Sequence, residues 1–212
     1  MNDTQTTRIV IIGGGFGGLF TALDVAGAGE VTLINREDHF LFTPMLYEYL
    51  SGEVEAAHIA PHYKELLTDD RIRFVQGEAT DVDFNRREVT IAGRDRPLQY
   101  DVLVIACGGT TNYAGVEGAA EHTIPFRQIA HADRLRARMT DTLDHLPPDD
   151  APQDARRRAT FAIVGAGASG IELSTKMAAL LHDAFHRRGI PGDPRLLVLE
   201  MGDRILPGMG GG

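Results

Sequence analysis

Only one of the 212 residues is a cysteine, Cys107, which excludes an internal disulfide and any zinc site built on paired cysteines. That scarcity fits a reducing cytoplasm. Long apolar runs are also missing. The first residues, Met1–Arg8, are polar, and the stretch Ile9–Ile12 that follows is too short for a signal peptide or a membrane span. Basic residues are in deficit, with 21 Lys and Arg against 30 Asp and Glu, for a net charge of −9. Binding to a phosphate backbone needs clustered cations, so no nucleic-acid partner is expected, and simple electrostatic docking on anionic lipid is disfavoured. Low-complexity sequence is lacking as well. The 24 glycines and 10 prolines sit mostly at junctions, and 43% hydrophobic residues suffice for a core.

What is present is a strand–glycine–helix pattern that occurs twice. Arg8–Ile12 is a β-branched run ending at Gly13-Gly14-Gly15. Phe16–Ala28 then has apolar residues at helical spacing, with Leu19, Phe20, Leu23, Val25 and Ala26 expected inward. Gly27 and Gly29 stop it, and Val31–Ile34 is the second strand. Residues 36–60 have no clean period and are expected to form a long loop with a helical turn around Met45–Leu50, a length that usually carries function. A short helix (Pro61–Leu67) and a strand (Ile72–Val75) follow. An antiparallel pair then joins Ala79–Phe84 to Glu88–Ala92 across Asn85-Arg86-Arg87. The wholly apolar Val102–Ala106 is expected to be a buried strand ending in Gly108-Gly109. Gln128–Leu146 is a helix with Ala132, Leu135, Met139, Leu143 and Leu146 on one stripe, and Pro147–Arg158 is the best linker candidate. The opening pattern then recurs as strand Thr160–Val164, loop Gly165–Gly170, helix Ile171–Arg188 closed by Gly189, and strand Leu196–Glu200.

The first loop matches G-x-G-x-x-G at Gly13, Gly15 and Gly18, with Phe16 inside it. In that motif the first glycine permits the tight turn, the second lets a pyrophosphate approach the backbone, and the third lets helix and strand pack closely. The anion rests on unpaired amides at the positive end of the helix. An acid that grips the ribose hydroxyls is expected at the end of the second strand. Asn35 stands there, followed by Arg36. An amide can still accept from and donate to a diol, without the charge; the alternative is that Asn35 only caps the strand. The second loop repeats the motif at Gly165, Gly167 and Gly170, with Ser169 inside it, and Glu200 holds the ribose position. A carboxylate there favours NADH over NADPH, because it would repel the extra phosphate; the alternative is an exposed surface acid. One nucleotide site suits a dehydrogenase, whereas two suit a flavin, FAD, that takes electrons from a nicotinamide.

Four segments resemble the type II NADH dehydrogenases, single-subunit NADH:quinone oxidoreductases of the pyridine nucleotide-disulfide reductase superfamily. They are Val10–Phe20, Val31–Gly52 (VTLINREDHFLFTPMLYEYLSG), Tyr100–Thr110 (YDVLVIACGGT) and Thr160–Ser174 (TFAIVGAGASGIELS). Val198–Pro207 (VLEMGDRILP) resembles the family's second nucleotide strand. The resemblance implies hydride transfer from NADH to FAD and then reduction of a quinone. It places Thr43, Pro44 and Leu46 beside the flavin and Ala79 as a backbone clamp on the adenine. It also matches Ala106-Cys107-Gly108 to the Ala-Thr-Gly segment that passes the FAD, where Cys107 loses the threonine hydroxyl. Glu172 matches the acid near the nicotinamide and the quinone end, the candidate catalytic residue; the alternative is that it stabilises the start of its helix. His39–Pro44 holds no cysteine, which excludes dithiol chemistry, and sulfide:quinone reductases need several cysteines. A ferredoxin, rubredoxin or monodehydroascorbate-type reductase keeps the same fold with another acceptor, and a non-catalytic nucleotide-binding module is the alternative of a different class.

The fold expected is α/β. An FAD-binding Rossmann-like parallel sheet with an inserted antiparallel meander occupies 1–125, a connecting helix and linker 126–158, and an incomplete second Rossmann unit for NADH 159–212. So small a second piece buries too little surface to stand alone, and the family's later Gly-Asp segment and C-terminal membrane-contacting region have no counterpart. The chain therefore reads as an N-terminal fragment, inactive by itself, of a cytoplasmic protein peripheral at the inner face of the membrane; a homodimer is compatible with this reading. Gly202-Asp203 reads as a turn. His182 and His186 share a helical face but lack the glutamate and third ligand of a zinc site, so no metal is assigned. His58 and His62 are given no role, and Tyr47 and Tyr49 are read as packing residues rather than quinone ligands.

Overall fold

The computed structural model describes residues 6–146 and 160–206, and the linker candidate Pro147–Arg158 lies outside them. The chain divides into two compact units, Met1–Phe42 with Ala56–Ala119, and Thr43–Glu55 with Ala120–Gly212.

The first unit is built on a four-stranded parallel sheet in the order β3-β2-β1-β7, formed by β1 (Arg8–Ile12), β2 (Glu30–Asn35), β3 (Ile72–Gln76) and β7 (Val102–Ile105). The antiparallel insert carries three strands rather than two, β4 (Ala79–Asp83), β5 (Glu88–Ile91) and the short β6 (Leu98–Gln99). Alternation along the parallel strands sorts the core onto two faces. Ile9, Ile11, Val31 and Leu33 pack with Leu19 and Ala22 of α1 (Phe16–Asp24) and with Phe40 and Tyr63. Val10, Ile34 and Val75 face the other way, onto Val89, Ile91 and Tyr100. A sheet covered on both faces is why its strands read as continuous apolar runs. Two short helices, α3 (Ala56–Ile59) and α4 (Tyr63–Leu66), complete this unit. At the sheet's end Asp101 accepts from the Arg8 amide and both arms of its guanidinium, at 2.9–3.0 Å, which pins β1 to the entry of β7.

Three expectations for this unit need correction. The first helix stops at Asp24, and Ala26–Ala28 form a tighter 3₁₀ turn before Gly29. Its buried face is Gly18, Leu19 and Ala22, whereas Phe20 and Leu23 point outward, Phe20 with 54% of its surface exposed. A helix of two and a half turns buries only one narrow stripe, and Gly18 sets which one by letting the helix touch the loop. The third concerns β7, which is apolar but not buried: Val102 is 46% and Ile105 60% exposed. It is an edge strand paired with β1 alone among the described residues.

The second unit contains α2 (Leu46–Ser51), the long α6 (Ile129–Asp144), α7 (Ala168–Arg188), and the parallel pair β8 (Thr160–Val164) and β9 (Arg195–Leu199). A single helical turn, α5 (Ala119–His122), precedes α6. Strand β9 ends one residue earlier than expected, so Glu200 follows it. Helix α7 starts at Ala168 rather than Ile171, because Gly167 is its N-cap. It closes at Gly189 with φ +63°, where the Gly189 and Ile190 amides bond back to His186 and Phe185. Leu46, Leu50, Ala132, Met139, Leu143, Met177 and Leu181 are buried in this unit, and Leu135 and Leu146 of the expected stripe are half-buried. Among the described residues no helix is long and apolar enough to cross a membrane.

Candidate functional site

The two glycine loops fold into corners of the same construction. In the first, β1 ends at Ile12 and the Gly13 amide crosses to the Ile34 carbonyl at 2.8 Å; in the second, the Gly165 amide bonds to the Leu199 carbonyl, also at 2.8 Å. Gly13 and Gly165 adopt φ of +102° and +99°, the left-handed region that makes glycine the residue of choice. Gly13 has a second reason, since a Cβ there would lie 2.6 Å from the Ala106 carbonyl carbon. The next residue donates its amide to a side chain at the C-terminal end of the neighbouring strand, the last residue of β2 or the first after β9: Gly14 to Asn35 Oδ1 at 2.9 Å, and Ala166 to Glu200 Oε2 at 2.6 Å. Its carbonyl is held too, by the Tyr63 hydroxyl in the first corner (2.6 Å) and the Leu206 amide in the second (2.8 Å).

The second motif glycine, Gly15 or Gly167, is the helix N-cap in each corner, in extended backbone and with no side-chain cap bond. A Cβ built on either meets nothing within 4 Å. The third glycine is the opposite case. A Cβ on Gly18 would overlap the Gly13 carbonyl and lie 2.9 Å from its carbon, and on Gly170 it would lie 2.9 Å from the Gly165 carbonyl carbon. Each corner is thus closed where helix meets turn and open where the first helical amides emerge, which is where an anion is stabilised by unpaired N–H groups and the helix dipole.

Both ribose-position side chains are already engaged, with capacity left over. Asn35 accepts from Gly14 and donates to the Glu37 carbonyl at 3.1 Å, leaving one lone pair and one N–H. Glu200 Oε1 accepts from Met201 and Gly202 at 2.8 and 3.1 Å, so its free acceptor position is on Oε2. The Ala166 amide first, then those of Gly202 and Met201, hold this carboxyl below its usual range. Arg36 reaches toward Glu78 at 3.8 Å, next to Ala79 where β4 begins. Ala106 bonds through its amide to Ile12 at 2.7 Å and so reaches the first corner, with Gly108 at φ +67° two residues on. The Cys107 thiol takes up a weak contact with the Ile12 carbonyl at 3.8 Å. Phe16 caps an aromatic cluster with Phe20, Phe40 and Phe42.

Tyr63 is the functional residue that sequence reasoning passed over. It is fully buried, stacks on Phe74 with ring centroids 4.5 Å apart, and fills the space that a side chain on Gly14 would need. Burial first, then the charge of Glu37, raises its phenol above the usual range, so it stays a donor. A lone tyrosine in a four-residue helix carries no sequence signal of this kind.

The segment 43–55 belongs to the second unit. Thr43 and Pro44 lie exposed in a 3₁₀ turn, whereas Leu46 is 1% exposed, so what Leu46 can offer a ligand is its main chain. Tyr47 and Tyr49 do more than pack. The Tyr47 hydroxyl donates to the Ser169 carbonyl at 3.3 Å, and the Tyr49 hydroxyl to Asp133 at 2.7 Å, with Arg136 over its ring. Glu172 itself is exposed in the second turn of α7.

The chain has known relatives. At the sequence level the chain is 35% identical to the demethylphylloquinone reductase of Synechocystis over 97% of its length, and 32% identical to a type II NADH:quinone oxidoreductase of Mycobacterium tuberculosis over 96%. It spans just under half the length of these curated relatives, 49% and 45%. Its fold is that of NDH2 from Plasmodium falciparum, solved with NADH and with RYL-552, each with a TM-score of 0.84 over 96% of this chain and 44% and 43% of that one, at 23% and 24% identity. The profile of the pyridine nucleotide-disulphide oxidoreductases matches residues 7–211, and the chain belongs to that family.

Proposed function

We propose that the protein is an FAD-dependent NADH:quinone oxidoreductase. The observation that carries this is the pair of glycine corners, each with bare space over its second glycine and each beside a polar side chain that retains bonding capacity. In the first corner Gly13, Gly15 and Gly18, with Phe16, would hold the FAD pyrophosphate, Asn35 and Arg36 the ribose end, Ala79 the adenine, and Ala106 and Gly108 the passing chain. By resemblance Thr43, Pro44 and Leu46 would lie along the flavin. In the second corner Gly165, Gly167, Ser169 and Gly170 would hold the NADH pyrophosphate and Glu200 its ribose, with Glu172 at the reacting end.

The chemistry supplied when both are bound is hydride transfer from the reduced nicotinamide to the flavin and delivery of two electrons to a quinone. The protein's share is positional. Rigid, side-chain-free corners fix two diphosphates, and Tyr63 and Asn35 in one unit and Glu200 in the other hold those corners in shape. The quinone as acceptor is supported by the sequence relatives, whose names are those of quinone reductases. A quinone dissolved in lipid would require contact with a membrane surface; we infer a peripheral location, on its inner face. The test is to purify the protein in the longest form its reading frame encodes. It should take up FAD and show a flavin absorbance bleached by NADH and restored by a quinone. A colourless preparation that never takes up FAD would refute the reading.

A further inference from the structure

We propose that Tyr63 is a positioning residue for FAD: by holding the Gly14 carbonyl it aims the Gly15 amide at the diphosphate, and so sets the affinity of the first corner. This rests on the function proposed above, in which that corner takes the FAD. The peptide between Gly14 and Gly15 joins two residues without side chains, so its own torsions leave its plane free to turn. The surroundings fix it instead. Among the described residues no peptide bond is cis, and in a trans peptide the carbonyl and the following N–H point in opposite directions. The Gly14 carbonyl faces the Tyr63 hydroxyl, its one donor among the described residues, at 2.6 Å. The Gly15 N–H therefore points away from Tyr63, and it has no hydrogen-bond partner among the described residues. Asn35 cannot do this work, because the amide it accepts from, that of Gly14, belongs to the preceding peptide.

Tyr63 is itself held on every side. Its amide donates to the Asp38 carbonyl at 3.0 Å, its carbonyl accepts from the Leu67 amide at 2.8 Å, and its buried ring stacks on Phe74. Room for it is made at Gly14, where a Cβ would overlap the hydroxyl and lie 2.6 Å from the ring carbon that bears it. The second corner reaches the same end by other means. There the equivalent residue is Ala166, whose carbonyl takes the Leu206 amide at 2.8 Å, and the Gly167 amide again has no partner among the described residues. Both corners thus place a donor on the carbonyl just before the second motif glycine, a side chain in one and main chain in the other. Both leave the next amide bare beneath open space. Without the hydroxyl the Gly14–Gly15 peptide could turn, and an amide aimed elsewhere part of the time lowers the apparent affinity by the fraction of time lost.

The experiment compares wild type, Tyr63→Phe, Gly15→Ala, the double variant and Asp101→Asn, each in the longest form the reading frame encodes. After bound flavin is removed, FAD affinity is read from the quenching of flavin fluorescence. Tyr63→Phe should weaken FAD about fivefold, the scale of one hydrogen bond. Asp101→Asn loosens the opposite end of the same sheet and should leave the affinity within about twofold of wild type. In Gly15→Ala the methyl already keeps the diphosphate off the amide, so adding Tyr63→Phe should change the affinity by less than about twofold. In wild type, FAD should move the Gly15 amide proton further downfield in ¹H–¹⁵N spectra than that of Gly14, which is already bonded to Asn35. An unchanged affinity in Tyr63→Phe, equal weakening in Asp101→Asn, effects that multiply in the double variant, or a Gly15 amide proton that FAD leaves in place would each overturn the proposal. If instead the wild type binds no FAD, the failure belongs to the underlying function.

Discussion

Adding one methyl group at Gly15 and, separately, at Gly18 separates ligand binding from folding in the first corner. The Gly15 backbone is extended at φ −66° and ψ −168°, open to any residue, and its Cβ direction is empty to 4 Å. Two small terms act on the stability of Gly15→Ala in opposite directions. The helix loses a favoured N-cap residue, and the unfolded chain loses freedom, each worth at most about 1 kcal/mol. The unliganded variant should therefore melt within about 3 °C of wild type, at roughly 2–4 °C per kcal/mol for a chain of this size. The methyl does, however, stand where a diphosphate would approach the amides. Overpacking of that kind costs about 1–3 kcal/mol, or roughly 5–150-fold in affinity. Gly18→Ala should behave in reverse. Its methyl would overlap the Gly13 carbonyl, with Ile11 Cγ2 at 3.4 Å as the next neighbour, so backbone has to move. A loss of about 3 kcal/mol, or 6–12 °C, is expected before any ligand is added. Thermal unfolding with and without FAD, together with the flavin retained after gel filtration, reads both quantities. If Gly15→Ala bound FAD as tightly as wild type while folding normally, no ligand would lie over that glycine and the reasoning from open space would be wrong.

Tyr63→Phe should cost about 1–3 kcal/mol in urea unfolding with an unchanged m-value, because it strips the Gly14 carbonyl of its donor in a buried setting. The Arg8 guanidinium and amide hold the Asp101 carboxyl far below its usual range, so its stabilising effect is full above the unfolded carboxylate pKa of about 4 and fades as pH falls toward the folded value. Asp101→Asn should therefore lower the melting temperature at pH 7 and differ less from wild type at pH 3; an equal gap at both pH values would contradict this. Glu200→Gln puts an NH₂ donor among three amide donors, so it should raise the KM for NADH about tenfold while affecting NADPH less, measured by steady-state kinetics with a quinone.

The two corners were legible because their physics is local. A strand, a turn that needs φ above +90°, and a helix packed against that turn at glycine leave a fixed spacing of Gly13, Gly15 and Gly18, and again of Gly165, Gly167 and Gly170. The near-continuous apolar runs Ile9–Ile12 and Val31–Ile34 likewise carry a sheet covered on both faces in their composition. Three features depended on distant partners and left no trace in spacing. Tyr63 reaches a carbonyl 49 positions away, and nothing beside it in the chain requires a hydroxyl. The exposure of β7 follows from its place at the sheet edge, which an apolar run cannot express. Segment 43–55 joins α6 and α7 because Leu46 and Leu50 find burial there and Tyr47, Tyr49 and Glu53 find bonding partners 84–123 positions downstream. Where backbone amides could meet a phosphate is written in residue order, since that is a matter of consecutive torsions. Tertiary packing alone decided which side chains hold those amides open.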